Sequence, residues 1–220
     1  MSIDSFKKFC SYQNVSRETY QKFQIYYDTL VKWQKSINLI SRSNSDDIYL
    51  RHFLDSAQLY KFTKKINGNI LDFGSGAGFP GLVLALMGNK NIILVESDQK
   101  KCAFMREVAM LLDTVVTIYN CRIEDLDYIN ADLITARALA PLDKLIEYVE
   151  MYMKKTSFHQ KKFPKLLFLK GKSYNNEIIK LNKTRNIDYK IYPSLTNEFS
   201  KILYIKKVNM LKIKDEKKFK

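Results

Sequence analysis

The chemistry-bearing residues of this chain concentrate in one stretch, Ile70-Leu71-Asp72-Phe73-Gly74-Ser75-Gly76-Ala77-Gly78-Phe79-Pro80-Gly81. An apolar run ends in a carboxylate, and glycines then recur on alternate positions ahead of a proline. Glycines in such a loop allow a tight turn and let a ligand approach with no Cβ in the way. Two ligand classes use loops of this kind. Gly76 to Gly81 fits the G-x-G-x-x-G spacing of dinucleotide binders, with Glu96 about 20 residues beyond Gly76. Against a pyrophosphate stands Asp72, whose carboxylate would meet it at the strand end. S-adenosylmethionine carries a sulfonium and an ammonium and no phosphate, so it suits a loop that contains an acid. In that reading Asp72 holds the region of the ammonium and methionine chain, partly through water. Gly74 and Gly76 give backbone contact, and Glu96 accepts both ribose hydroxyls. A nicotinamide-dependent reductase stays open as the rival reading of the same glycines.

The flanking elements must position that loop. Asn69–Phe73 reads as a strand, followed by the glycine turn and a helix over Pro80–Met87. Ile92–Glu96 is a second strand, and Asp98 is placed to cap a helix running to Leu112 with Cys102, Met105, Val108, Ala109 and Leu112 inward. Val115–Tyr119 and Ala131–Thr135 are further strands. Pro141, at a first helical position, opens a helix over Leu142–Met153. Leu166–Leu169, Tyr189–Tyr192 and Ile202–Val208 complete the strands. Alternating strands and helices predict a parallel α/β sheet with its ligand at the carboxyl ends of the strands. The first sixty residues read instead as helices, with apolar stripes at Phe23, Tyr27, Leu30, Val31 and at Leu50, Phe53, Leu54, Ala57.

Composition narrows the partners. The 220 residues are 46% hydrophobic and 27% charged, as in a globular chain. The longest apolar run, Leu82–Met87, is far below a membrane span, and the first residues lack the apolar core of a signal peptide. Three dispersed cysteines and two histidines make neither a disulfide framework nor a zinc site. The expectation is a cytoplasmic, metal-free monomer. Its net charge of +14 is unevenly distributed. Residues 1–65 hold 11 basic and 6 acidic side chains, residues 66–153 hold 7 and 12, and residues 154–220 hold 19 and 5. Two basic flanks around an acidic middle predict that the flanks face a polyanion while the middle holds a ligand that tolerates acid. Three divisions follow: a helical cap over 1–65, a Rossmann-like domain over 66–210, and a basic tail over 211–220. Arg137 follows the fourth strand, and Lys170 ends another, at the edge where RNA phosphate would lie. Tyr26, Tyr27 and Trp33 could stack on bases, although aromatics at helical spacing are more often core. His52, on the Leu50–Ala57 helix, reads as a packing or hydrogen-bonding group and not as a catalytic base.

Several blocks resemble the bacterial 16S rRNA (guanine-N7) methyltransferase family, RsmG (GidB). They are Trp33–Leu39, Arg51-His52-Phe53-Leu54-Asp55-Ser56, Asp72–Gly81 with its Phe-Pro-Gly, Arg122-Ile123-Glu124, Thr135–Leu142 and Leu169-Lys170-Gly171. The departures are mild: Ser75 stands where threonine is common, Glu96 where aspartate is common, and Ile123 where alanine is common. The resemblance implies a class I S-adenosylmethionine-dependent fold acting on small-subunit ribosomal RNA. It places the cofactor against Gly74, Phe79, Ile123, Glu124 and Arg137, beside the Asp72, Gly76 and Glu96 already singled out. Arg51, Arg137 and Lys170 are the candidate RNA contacts. A non-catalytic RNA-binding protein on a degenerate methyltransferase fold is the second alternative.

Overall fold

The computed structural model describes residues 9–12, 15–41, 48–155 and 162–210. The proposed tail from 211 and His159 lie outside the described residues. At the centre is a seven-stranded sheet: β1 (Asn69–Phe73), β2 (Ile92–Glu96), β3 (Thr117–Asn120), β4 (Ala131–Arg137), β5 (Lys165–Lys170), β6 (Arg185–Pro193) and β7 (Lys201–Met210). The order across the sheet is β3-β2-β1-β4-β5-β7-β6. The chain steps outward from β1 through β2 to β3, then returns to the other side of β1 with β4. That reversal opens a crevice beyond the carboxyl end of β1, the usual ligand position in a doubly wound sheet.

Strands β1 to β5 are parallel, but β7 lies antiparallel to β5 and to β6. The expected parallel sheet is therefore corrected at one strand, β7; β6, antiparallel to β7, runs in the direction of β1–β5. After α5 (Tyr174–Leu181) the chain goes through β6 to the edge and folds back as β7 to fill the gap beside β5. Helix α5 itself was not foreseen in the sequence. Its buried Ile178 and Leu181 are too few to make a readable stripe.

The helices divide between the two faces. Helix α1 (Arg17–Gln34) is capped by Ser16, whose hydroxyl accepts from Thr19 N–H at 3.0 Å. It packs with α2 (Gly81–Leu86) and α3 (Gln99–Leu111) in one core. Helices α4 (Leu142–Lys154) and α5 pack together on the other face. The Asp98 cap is present, its carboxylate accepting from Lys100 and Lys101 N–H at 2.8 and 3.2 Å. Pro141 stands one residue before α4 and gives its carbonyl to Leu145 N–H. The buried stripe of α1 is Tyr20, Phe23, Tyr26 and Leu30, while Val31 is 36% exposed. The expected stripe is rotated because Tyr26, not Tyr27, faces the glycine loop. Between α1 and β1, the chain makes a wide π-helical turn over Tyr49–Leu54 and short α turns over Asp55–Ala57 and Tyr60–Thr63.

Candidate functional site: a cavity over the switch point

A cavity of about 480 Å³ lies at the carboxyl ends of β1, β2 and β4. Its floor is the glycine loop. Gly76 adopts φ +58°, where an L side chain is strained, although a Cβ there would have only the Gly74 carbonyl oxygen within 4 Å, at 3.9 Å. Its N–H donates to Glu96 Oε2 at 2.8 Å, and Asp98 N–H donates to Glu96 Oε1 at 2.9 Å. Glu96 thus holds the loop to the end of β2 while lining the cavity. Each carboxylate oxygen has a further lone pair, enough for two hydroxyl donors. The Gly76 N–H that would cradle a phosphate in a dinucleotide site is already engaged by a carboxylate.

Asp72 is placed differently from expectation. It is fully buried and contributes nothing to the cavity wall. Its Oδ2 accepts from Gly81 N–H at 3.0 Å and its Oδ1 from the Thr135 hydroxyl at 3.2 Å. The carboxyl therefore ties the start of α2 to β1 and β4. Burial pushes its pKa up to about 7, against the lowering effect of the Gly81 N–H, Ser75, Thr135 and Arg137. Gly81 must be glycine here, because a Cβ would lie 2.2 Å from Leu94 Cδ2 and 2.9 Å from Asp72 Oδ2. Direct contact between Asp72 and a cofactor is replaced by support of the loop from behind.

Of the other expected cofactor residues, Gly74, Gly76, Phe79, Glu96, Ile123, Glu124 and Arg137 all line the cavity. Ile123 and Glu124 sit in a 3₁₀ turn after β3, held by Lys155, whose ammonium donates to the Glu124 carbonyl and, at 2.9 Å, to the Leu126 carbonyl. Phe79 is stacked on Tyr26, with ring centroids 5.2 Å apart and planes 6° apart. The Arg137 guanidinium lies 5.1 Å above the Phe79 ring. Arg137 is held by the fold: NH1 donates to the Arg51 carbonyl at 2.9 Å and lies 3.7 Å from Asp55 Oδ2, and NH2 lies 2.7 Å from His52 Nδ1. Asp55 is anchored in turn by the Gln58 amide and the Thr196 hydroxyl. Arg137 consequently fastens the Arg51–Asp55 segment to the sheet, a role its spacing does not announce.

The expected RNA contacts also separate. Arg51 is exposed, outside the cavity lining. Lys170 is 8% exposed, with its ammonium 2.6 Å from Glu177 Oε2 and donating to the Ala140 carbonyl at 3.0 Å. Burial raises the Glu177 pKa, yet the hydrogen bonds from Lys170 and Ser173 outweigh it and hold it below the usual value. An RNA phosphate is not within the reach of an ammonium so engaged, and this contact is corrected to an internal clamp between β5 and α5. Tyr26 and Trp33 are likewise structural. The Tyr26 hydroxyl donates to the Ala77 carbonyl, and Trp33 Nε1 donates to Glu107 at 3.0 Å. Leu39, Ile40, Ser41 and His52, from the N-terminal segment, also line the cavity. Of these, Leu39 and His52 fall in the Trp33–Leu39 and Arg51–Ser56 blocks of the sequence, whereas Ile40 and Ser41 carried no sequence signal.

Among solved structures, the chain is similar to magnesium protoporphyrin IX methyltransferase from Synechocystis PCC 6803 with bound SAM, at TM-score 0.55 and 14% identity over 89% of this chain and 100% of that one. It is similar also to a SAM-dependent methyltransferase from Aquifex aeolicus, at TM-score 0.53 and 16% identity over 72% and 92%. The sheet order, the antiparallel β7 and the glycine loop at the switch point define the class: a Rossmann-like class I methyltransferase fold. Residues 19–202 match the family described as rRNA small subunit methyltransferase G, and the chain belongs to that family. Proteins named ribosomal RNA small subunit methyltransferase G agree with it across nearly their full lengths. That of Paramagnetospirillum magneticum is 44% identical over 89% of this chain and 92% of its own. That of Orientia tsutsugamushi (strain Ikeda) is 42% identical over 88% and 93%.

Proposed function

We propose that this protein transfers the methyl group of S-adenosylmethionine to N7 of a guanine in 16S ribosomal RNA, acting as a cytoplasmic monomer on the RNA or the small subunit. The observation that carries the choice of cofactor is Glu96, which faces the cavity and already engages the Gly76 N–H. That arrangement suits ribose hydroxyls and disfavours a pyrophosphate, so the nicotinamide reading fails on the loop's own hydrogen bonds. When bound, S-adenosylmethionine supplies a methyl group already activated on its sulfonium. Glu96 takes the ribose hydroxyls, Gly74 and Gly76 give the backbone an unobstructed face, and the Ile123–Glu124 turn meets the adenine. Phe79 and Arg137 close the methionine end. Asp72 contributes by fixing the loop. The segment to residue 65 caps the domain formed by residues 66–210, and the exposed cations, Arg51 among them, meet the RNA backbone.

Guanine N7 has a free lone pair at neutral pH, so no side chain must take a proton. The work left to the protein is alignment and exclusion of water. The cavity fits that division, since among the described residues His52 is the one histidine lining it, with a pKa pushed down to about 3, chiefly by burial and then by Arg137 and Arg51. Incubation of purified protein with small-subunit RNA or subunits lacking the modification tests the reading. Mass analysis should find 7-methylguanosine, dependent on S-adenosylmethionine, and calorimetry should find binding of that cofactor and none of NADH. Methylation at another atom, or no cofactor binding, overturns it.

A further inference from the structure

His52, which lines the cavity, carries a buried ring nitrogen that the fold leaves without a partner. His52 is 9% exposed and packs 5.3 Å from the Phe79 ring. Its Nδ1 lies 2.7 Å from Arg137 NH2, and a guanidinium has only donors, so Nδ1 accepts and the ring hydrogen sits on Nε2. His52 Nε2 is buried and has no hydrogen-bond partner; among the described residues the only other such side-chain atom is Nε of the same Arg137. A buried donor left unmet is costly and calls for an explanation. His52 lines the cavity, and the chain from Asp55 through Arg137 fixes both the tautomer and the ring's orientation.

We propose that His52 Nε2–H is a preset, neutral hydrogen-bond donor to an acceptor oxygen of the bound reactants, either the carboxylate of the cofactor or O6 of the target guanine. This rests on the cavity being the methyl-transfer site. Neutrality fits both oxygens. A guanine methylated at N7 carries positive charge, which a neutral imidazole does not oppose as an arginine would. At O6 the same donor discriminates against adenine, which presents an amino donor at that position. Arg137 is then a positioning residue for His52, and its cation is kept one shell away from the ring that becomes charged.

Three variants of the full chain test this. His52→Phe keeps the packing against Phe79 and removes the donor. His52→Asn keeps an acceptor for Arg137 but is too short to present a donor where Nε2 stands. His52→Gln restores an N–H near that position. The expected result is a loss of about tenfold in Phe and Asn, with substantial recovery in Gln. A loss in cofactor affinity measured without RNA assigns the donor to the carboxylate. Unchanged cofactor affinity with a slower single-turnover rate at saturating cofactor assigns it to guanine O6. The proposal is overturned if Phe and Asn match wild type in both measurements, or if Gln is impaired equally with them. Melting temperatures taken alongside identify a packing defect, and the Asn variant carries the test if Phe does not fold. Wild-type protein that binds no S-adenosylmethionine defeats the reading of the cavity itself, whereas active wild type with unaffected variants defeats only the role of His52.

Discussion

The corner at β1 and the corner at β4–β5 are built from similar materials and use them in opposite directions. At β1 two carboxylates flank a glycine loop. One, Glu96, faces the cavity while bracing the loop, and the other, Asp72, lies wholly behind it. At β4–β5 two cations end adjacent parallel strands, and both turn inward. Arg137 serves Asp55, His52 and the Arg51 carbonyl, and Lys170 serves Glu177 and the Ala140 carbonyl. The acidic corner is shaped for a ligand, and the basic corner is shaped to hold the N-terminal segment and α5 against the sheet. A charge at the end of a strand is thus a statement about position only. Its function depends on which neighbour reaches it first.

The largest expected effect breaks the pairing of Asp72 with Glu96 as two ligand acids. The folded Asp72 carboxyl keeps its proton to about pH 7, whereas an unfolded chain releases it near pH 4. Between those values the native state binds the extra proton, so Asp72 makes stability fall as pH rises, by up to about 1.4 kcal/mol per pH unit. Asp72→Asn should remove that decline, since the amide keeps an acceptor for Gly81 N–H and never ionises. Urea denaturation of both proteins at several pH values checks this. Parallel pH profiles would mean that the carboxyl ionises in the fold as it does in water.

The second effect belongs to the basic corner. Lys170→Met strips Glu177 of its buried partner and leaves the Ala140 carbonyl unmet, which should cost about 2 kcal/mol of stability. The salt dependence of RNA affinity should stay unchanged, because the lost ammonium was committed internally. A shallower salt slope together with unchanged stability would return Lys170 to the RNA surface.

These cases mark where the sequence is readable. Asn69–Phe73 and Ile92–Glu96 were legible to the residue because a buried parallel strand is a continuous apolar run closed by a polar residue. The loop was legible because few structures other than a ligand turn require glycines at that spacing. Facing was not legible. Asp72 pairs with Leu94, two residues short of Glu96 in the register, and it meets Gly81 N–H across a gap that only the missing Cβ of Gly81 allows. His52 is a hydrogen-bonding group, as its place on an apolar helix face suggests, but its partner Arg137 is 85 residues away, beyond any local pattern. The antiparallel β7 was hidden for a related reason: strand direction follows from the length and course of the connections, and its apolar run reads the same either way.

The third effect sharpens the acidic corner. Glu96→Gln retains one acceptor oxygen but turns an amide donor toward either Gly76 or Asp98 N–H, and it offers the ribose a poorer acceptor. Cofactor affinity should fall by about tenfold, or roughly 1.4 kcal/mol. Calorimetry without RNA reads this directly, and an unchanged dissociation constant would remove Glu96 from the ribose.

The smallest effect tests whether the basic flank has any free cations where the corner itself has none. Lys172 lies two residues beyond Lys170, past the end of β5, and is exposed. Unlike Lys170, which pairs with Glu177, it has no ion pair among the described residues. If it meets an RNA phosphate, binding releases a condensed counterion, and Lys172→Ala should lower the slope of log affinity against log salt by about 0.7 to 0.9. Stability should move by less than about 0.5 kcal/mol, as for an ordinary surface position. Titrations of RNA at four or more salt concentrations resolve a change of that size. An unaltered slope for Lys172→Ala, with Arg51→Ala behaving the same way, would shift the RNA contact away from this edge of the sheet. Among the described residues, further cations of the flank lie along β6 and β7 and around α5, and substitutions there would then test which face carries the salt dependence.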